Sequence, residues 1–227
     1  MESRNFHGFE PLECTRIPDR AEKSGSPADR PSMNDDGQFR LYLIRHGQTA
    51  GNLQKRYIGV TDEALCAEGR RHLRSKRLIS APLVFSSPLK RCIQSAEILF
   101  PGKRVIILDD LRECDFGRFE NRNYNELSGD LYYQAWIDSR GALPFPGGES
   151  REAFRARSLM GMYRILDFCH EYREKDRSCR TAAVVTHGGV IMNIMEAFFP
   201  AQGSFYDWNT KNGEGWIIAG VLRRENP

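Results

Sequence analysis

The sequence predicts a single three-layer α/β domain, a mostly parallel sheet with helices on both faces. Three observations predict it. Short, continuously apolar runs at residues 41–44, 82–85, 105–108 and 182–186 suit strands covered on both faces rather than on one. Stretches of helical periodicity stand between those runs, and alternating strands and helices build a parallel sheet. The length, 227 residues with 40% hydrophobic side chains, is enough for one sizeable core.

Taken in order, residues 1–37 are expected to be a disordered extension and residues 38–227 the folded domain. The extension holds four prolines, and its five Lys/Arg against eight Asp/Glu give it −3, leaving +6 for the remainder. Phe6, Phe9, Leu12 and Ile17 stand singly, too few to offset the entropy of ordering the segment. Met33 lies directly before the domain, so a start at Met1 or at Met33 fits equally. The first strand runs into Arg45, His46 and Gly47. Residues 49–62, with Gly51, Asn52, Gly59 and Asp62, read as a loop. A basic helix is expected over 67–78 and a second strand over 82–85. Ser87 then reads as an N-cap with Pro88 at the first helical position, and Ile93, Ala96, Leu99 and Phe100 supply that helix's inward face. A third strand follows at 105–108. Residues 110–148 read as loops with one short helix near 124–137. Glu149 and Ser150 open a long helix on which Phe154, Leu159, Met162, Ile165, Leu166 and Cys169 recur at helical spacing. A strand at 182–186, an apolar helix through residue 198 and a last strand at 216–222 complete the chain.

Composition narrows the function classes. No apolar run approaches the roughly 20 residues that span a bilayer, and no hydrophobic signal core follows Met1, so neither a membrane partner nor secretion is expected. The six cysteines are scattered without a Cys-x-x-Cys pair, which speaks against zinc and disulfides and for reduced thiols in the cytoplasm. The basic body suits anionic small molecules, and nothing in it points to nucleic acid.

The chemistry concentrates at strand ends. Ile44-Arg45-His46-Gly47 and Val185-Thr186-His187-Gly188 share one grammar, a buried strand followed by an imidazole and a glycine. A third strand end leads through Ser86-Ser87-Pro88 to Arg91. Parallel strands finish at one edge, where open α/β sheets place their ligand sites, so two histidines and two arginines converge there. Such a set of cations repels itself unless an anion sits among them. Arginine forks match phosphoryl oxygens, and a histidine nitrogen is a nucleophile near neutral pH.

These motifs resemble the histidine phosphatase superfamily, on its phosphoglycerate mutase-like branch. Residues 43–49 with Asn52 are similar to the defining motif. Ser86-Ser87-Pro88-Leu89-x-Arg91-x-x-Gln94-Ser95-Ala96 resembles the second, Leu111-Arg112-Glu113-x-x-Phe116-Gly117 the third, and Thr186-His187-Gly188-Gly189 the last. The likeness runs over residues 39–222. It implies an enzyme, a metal-independent phosphomonoesterase with no cofactor, acting on a small phosphorylated metabolite. His46 would attack phosphorus and form a phosphohistidine. Arg45, Asn52, Arg91, His187 and Gly188 would bind the phosphoryl group, and Glu113 would be the general acid with Asp115 as the fallback. Tyr57, Gly59, Glu149 and Ser150 are the candidate substrate contacts. The segment 146–150 is similar to that of small-molecule phosphatases such as α-ribazole phosphatases, hinting at a phosphorylated nucleoside or sugar. The aromatics Tyr124, Tyr132, Tyr133, Trp136 and Phe145 either stack on such a ring or pack a lid. The chain is expected to be a monomer or a homodimer.

Two departures and two alternatives accompany this reading. The family often has Asp-x-Pro-Leu-Thr where Asp62-Glu63-Ala64-Leu65-Cys66 stands, so the loop loses a proline and a capping hydroxyl and is expected to loosen. Asn121 stands where the family commonly has glycine. One alternative is a 2,3-bisphosphoglycerate-dependent mutase using the same His46. Against it, Glu113 and His187 are only 74 positions apart, without the mutases' longer insertion, and Gly51 replaces their bulky Trp. The other, a non-catalytic phospholigand-binding protein, sits poorly with the retention of both His46 and Glu113.

Overall fold

The computed structural model describes residues 8–17, 38–76 and 80–222. Its six strands lie in the order β1 (Phe9–Arg16), β6 (Gly215–Leu222), β2 (Phe39–Arg45), β5 (Thr181–Thr186), β3 (Leu83–Ser86) and β4 (Val105–Ile107). β2, β5, β3 and β4 are mutually parallel, and β6 runs antiparallel to both β2 and β1. Period-two alternation splits the apolar runs between two cores. Leu41, Leu43, Ala182, Val184, Leu83 and Phe85 face one core, packed with Met162, Ile165 and Leu166 of α5 (Arg151–Lys175) and Ile191 and Ile194 of α6 (Gly188–Phe198). Tyr42, Ile44, Ala183, Val185 and Val84 face the other, packed with Cys92, Ala96 and Phe100 on and just after α3 (Lys90–Leu99). Helices on both faces of a mostly parallel sheet are the architecture the sequence predicts. No described helix is long and apolar enough to cross a membrane.

The largest departure is β1. The segment containing it is expected to be disordered, yet Phe9–Arg16 pairs with β6 over its whole length, and Ile17 N–H continues to the Gly215 carbonyl at 3.0 Å. Phe9 is fully buried, its ring 6.2 Å from that of Phe198. An edge strand needs only one apolar anchor and one row of backbone partners, and it tolerates Pro11 at a bulge where the register slips. The rest of residues 1–37 lies outside the described residues.

Smaller differences concern boundaries. The helix expected from Ser87 and Pro88 begins at Lys90, with Leu89 at the cap position and no side-chain cap, because the Ser87 hydroxyl is engaged elsewhere. The loop at 49–62 contains one helical turn, α1 (Ala50–Leu53), closed by a capping box between Thr49 and Asn52. The basic helix α2 runs Ala67–Ser75, and residues 77–79 lie outside the described residues. The loosening expected from the missing capping hydroxyl is countered by the Cys66 thiol, whose Sγ accepts from Gly69 N–H at 3.3 Å. The short helix α4 is Leu131–Asp138, started by Asp130, whose carboxylate accepts from Tyr132 and Tyr133 N–H. Asn121 takes up the left-handed backbone that its position asks of glycine, with φ 56°.

Candidate active site

The register of the parallel strands brings the motifs together. Arg45 lies opposite Thr186 across β2 and β5, His46 N–H donates to the Thr186 carbonyl at 2.9 Å, and Ser87 N–H donates to the Val185 carbonyl at 3.1 Å. His46 and His187 therefore leave neighbouring strand ends side by side, with ring centroids 5.1 Å apart at 64°. His46 Nδ1 is 2.7 Å from the Gly47 carbonyl, an acceptor only, so Nδ1 carries the proton and Nε2 keeps its lone pair. A Cβ at Gly47 would sit 2.7 Å from Leu73 Cδ1, so a larger residue there would have to displace that buried side chain.

The two arginines are pinned by backbone. Arg91 is fully buried on the first turn of α3, donating from Nη1 to the Thr61 carbonyl at 2.7 Å and from Nη2 to the Gly59 carbonyl at 2.9 Å. Its Nε reaches His187 Nδ1 at 3.3 Å. Arginine cannot accept, so His187 Nδ1 does, and its Nε2–H donates to Ser87 Oγ at 2.8 Å. Arg45 donates from Nη1 to the Thr210 carbonyl at 2.6 Å, while its buried Nε has no partner. Gly188 lies against the guanidinium, where a Cβ would stand 3.4 Å from Arg45 Cζ. A buried, unpaired donor on a cation is costly until an anion meets it.

Glu113 faces this group from the loop after β4. Its Oε1 accepts from Cys114 N–H at 3.0 Å and its Oε2 from Gly189 N–H at 3.3 Å. Gly189 leaves room for the carboxyl, because a Cβ would lie 2.5 Å from Glu113 Oε1. Burial raises the Glu113 pKa above the usual carboxylate value, against the pull of those two N–H groups and of Arg91 and Arg45. Burial also holds His46 well below an ordinary histidine, helped by Arg91 and Arg45 and opposed by the Gly47 carbonyl. His187 is depressed for the same leading reason, with Arg91 and His46 adding to it. Two imidazoles with lowered pKa values and a carboxyl with a raised one thus share a site with two guanidiniums.

Asn52 joins them through the loop before β6. Its Oδ1 accepts from Asn212 Nδ2 at 3.0 Å and from Thr49 N–H at 3.2 Å, leaving its NH₂ end for a ligand. Asn212 also donates to the His46 carbonyl at 3.2 Å, and Gly213 N–H donates to the Arg45 carbonyl at 3.0 Å. No motif in the sequence marks this loop. The place of Thr210, Asn212 and Gly213 beside His46 follows from β6 running antiparallel, so that it starts at the edge where the parallel strands end.

The proposed substrate contacts fare unevenly. Tyr57 lines a cavity of about 240 Å³ that opens at Arg45, Glu113, Gly188 and Gly189. Gly59, Glu149 and Ser150 do not line it. Gly59 is packed against the Cys114 carbonyl too closely for any side chain, and its N–H donates to Glu120 at 2.9 Å. Glu149 is paired with Arg157 at 2.7 Å, and Ser150 caps α5 by accepting from Ala153 N–H at 3.1 Å. Asp115 is likewise occupied, its Oδ1 accepting from Gly117 N–H at 2.8 Å. Of the aromatics, Tyr133, Trp136 and Phe145 pack with Tyr57, Phe116 and Phe119 into one cluster, while Tyr124 and Tyr132 are exposed.

The model of the histidine phosphatase superfamily (branch 1) matches residues 41–217. The chain is 32% identical over 185 residues to phosphoglycerate mutase-like protein 4 of Arabidopsis thaliana, covering 76% of each. It is 30% identical over 179 residues to the adenosylcobalamin/alpha-ribazole phosphatase of Escherichia coli K12, covering 74% of this chain and 84% of that one. Among solved structures it is similar to the alpha-ribazole phosphatase from Shigella flexneri, with TM-score 0.66 and 25% identity over 83% of this chain and 96% of that one. A mycobacterial glucosyl-3-phosphoglycerate phosphatase gives TM-score 0.62 and 27% identity over 81% and 91%. With the family model spanning most of the domain, the chain is a phosphatase of branch 1 of the histidine phosphatase superfamily.

Proposed function

We propose that the protein is a metal-independent phosphomonoesterase that hydrolyses a small phosphorylated metabolite through a phosphohistidine on His46, in the cytoplasm. The lone pair of His46 Nε2 attacks phosphorus, the bond to the ester oxygen breaks, and the departing alkoxide takes the proton held by Glu113. Water then attacks the phosphohistidine, giving its proton to the Glu113 carboxylate as the P–N bond breaks and inorganic phosphate forms. Arg45 Nε meets a phosphoryl oxygen and loses its unpaired state. Arg91, oriented by His187, adds the second positive charge, and the Asn52 NH₂ end and the amide at Gly188 add neutral donors. The observation that carries this reading is the fixed tautomer of His46, whose Nδ1 is held by the Gly47 carbonyl and whose free Nε2 stands beside two guanidiniums and a buried carboxyl with a raised pKa.

The experiment is a quench of the enzyme with a ³²P-labelled ester. Wild type should give an acid-labile, base-stable label that turns into inorganic phosphate within seconds, and His46→Ala should give no label and less than a few per cent of the turnover. A labelled His46→Ala protein would move the nucleophile elsewhere. Transfer of the label to added 3-phosphoglycerate, rather than to water, would make the protein a mutase instead.

A further inference from the structure

Resting on the phosphomonoesterase reading, the cavity beside Glu113 allows the leaving group to be named by class. We propose that the protein selects phosphomonoesters whose leaving alcohol carries a flat, uncharged ring. The leaving oxygen must lie next to the carboxyl that protonates it, so the body of the leaving group fills the space that opens at Glu113. That space, about 240 Å³, is walled by Phe116, Trp136, Phe145, Phe154, Met192 and Phe205. It has room for roughly one or two fused rings and is smaller than most drug-sized sites.

The walls are preformed. Trp136 and Phe145 are stacked with centroids 5.0 Å apart at 29°, and Phe116 meets Phe145 edge-on at 5.1 Å. Tyr57 adds a further wall, fixed by a 3.2 Å contact between its hydroxyl and that of Tyr133, and Phe119 backs Phe145. Faces and edges presented in this way receive a planar ring in stacked or edge-to-face contact.

Charge argues in the same direction. Among the described residues that line the cavity, the cations are Arg45 and Arg151. Arg45 belongs to the phosphoryl group. Arg151 lies over the Phe205 ring at 5.2 Å and stands 3.5 Å from Glu196, so its charge is partly offset. A second phosphate or a carboxylate would have to compete with Glu196 for that one cation, against walls that are otherwise mostly apolar. A sugar would give up water around several hydroxyls for apolar walls, which disfavours it.

The test compares kcat/KM of the full chain for 2-(1-naphthyl)ethyl phosphate, ethyl phosphate, glucose 6-phosphate and 3-phosphoglycerate. All four release an alkoxide rather than a stabilised phenolate, so the comparison reports recognition of the remainder. The expected result is a preference of about tenfold or more for the naphthyl ester over each of the others. In Trp136→Ala, a truncation on the half-buried face of a surface helix, the ratio of naphthylethyl to ethyl phosphate should fall toward one. Equal values in wild type, or preference for either polar ester, would overturn the proposal while leaving the phosphatase reading intact, and needs no variant to fold. Failure to hydrolyse any ester, p-nitrophenyl phosphate included, would bring down the phosphatase reading and this proposal together.

Discussion

Arg157 shows how a residue outside the site can set its geometry. From α5 it donates to the carbonyls of Asp110 at 2.9 Å, Arg112 at 2.8 Å and Glu113 at 3.3 Å, and it pairs in a fork with Glu149. It therefore clamps the loop that carries the acid. Arg157→Met should lower kcat/KM for alkyl phosphates by about tenfold or more while costing p-nitrophenyl phosphate much less, since only poor leaving groups need Glu113 well placed. Equal losses on both esters would reduce Arg157 to a stabilising role. Glu113 itself makes a pH prediction. Neutral His46 is the nucleophile, and its pKa lies well below 6.5, so lowering pH through 6.5 should leave the enzyme's own protonation state competent. Glu113 must hold a proton in the first step, and burial raises its pKa above 4.5, so activity should decline as pH rises through that raised value. Glu113→Gln, which cannot titrate, should remove this alkaline limb and slow alkyl esters by roughly 100-fold. Allowance is needed for the ester's second ionisation near about pH 6. An unchanged limb in the variant would assign it to another group.

At the scale of the element, β1 and the loop before β6 were the least legible parts. Phe9-Glu10-Pro11-Leu12-Glu13 reads as polar and proline-broken because only one side chain in it is wholly buried. Its partner, β6, exists as an edge only once the sheet has formed, so the pairing is non-local and leaves no period in the sequence. Phe9→Ala should cost about 3 kcal/mol by removing a fully buried ring. For a domain of this size that is a fall of roughly 6–12 °C in Tm. A change under two degrees would show that β1 contributes nothing to the fold. The central strands were legible for the opposite reason. Each is buried on both faces, so hydrophobicity is continuous and marks both the strand and its end.

Across the whole molecule, two cores, one per face of the sheet, hold a rim where all of the proposed cationic and acidic groups come from the chain itself. EDTA should therefore leave kcat unchanged, and a strict requirement for Mg²⁺ in a dialysed preparation would contradict the mechanism proposed. The sequence by itself determined the fold class, the order of the central elements and the candidates His46, Arg45, Arg91, His187 and Glu113. Strand-end motifs are local, and parallel strands must finish at a common edge. Only the tertiary structure decided what those groups do to one another. The unpaired Arg45 Nε depends on where Thr210 lies, the tautomer of His187 on Arg91 and Ser87, and the raised Glu113 pKa on burial beside Gly189. The same holds for Glu149, which local sequence could not tell from a ligand contact. Its partner is Arg157, the arginine that also holds the loop of Glu113, and it does not line the cavity.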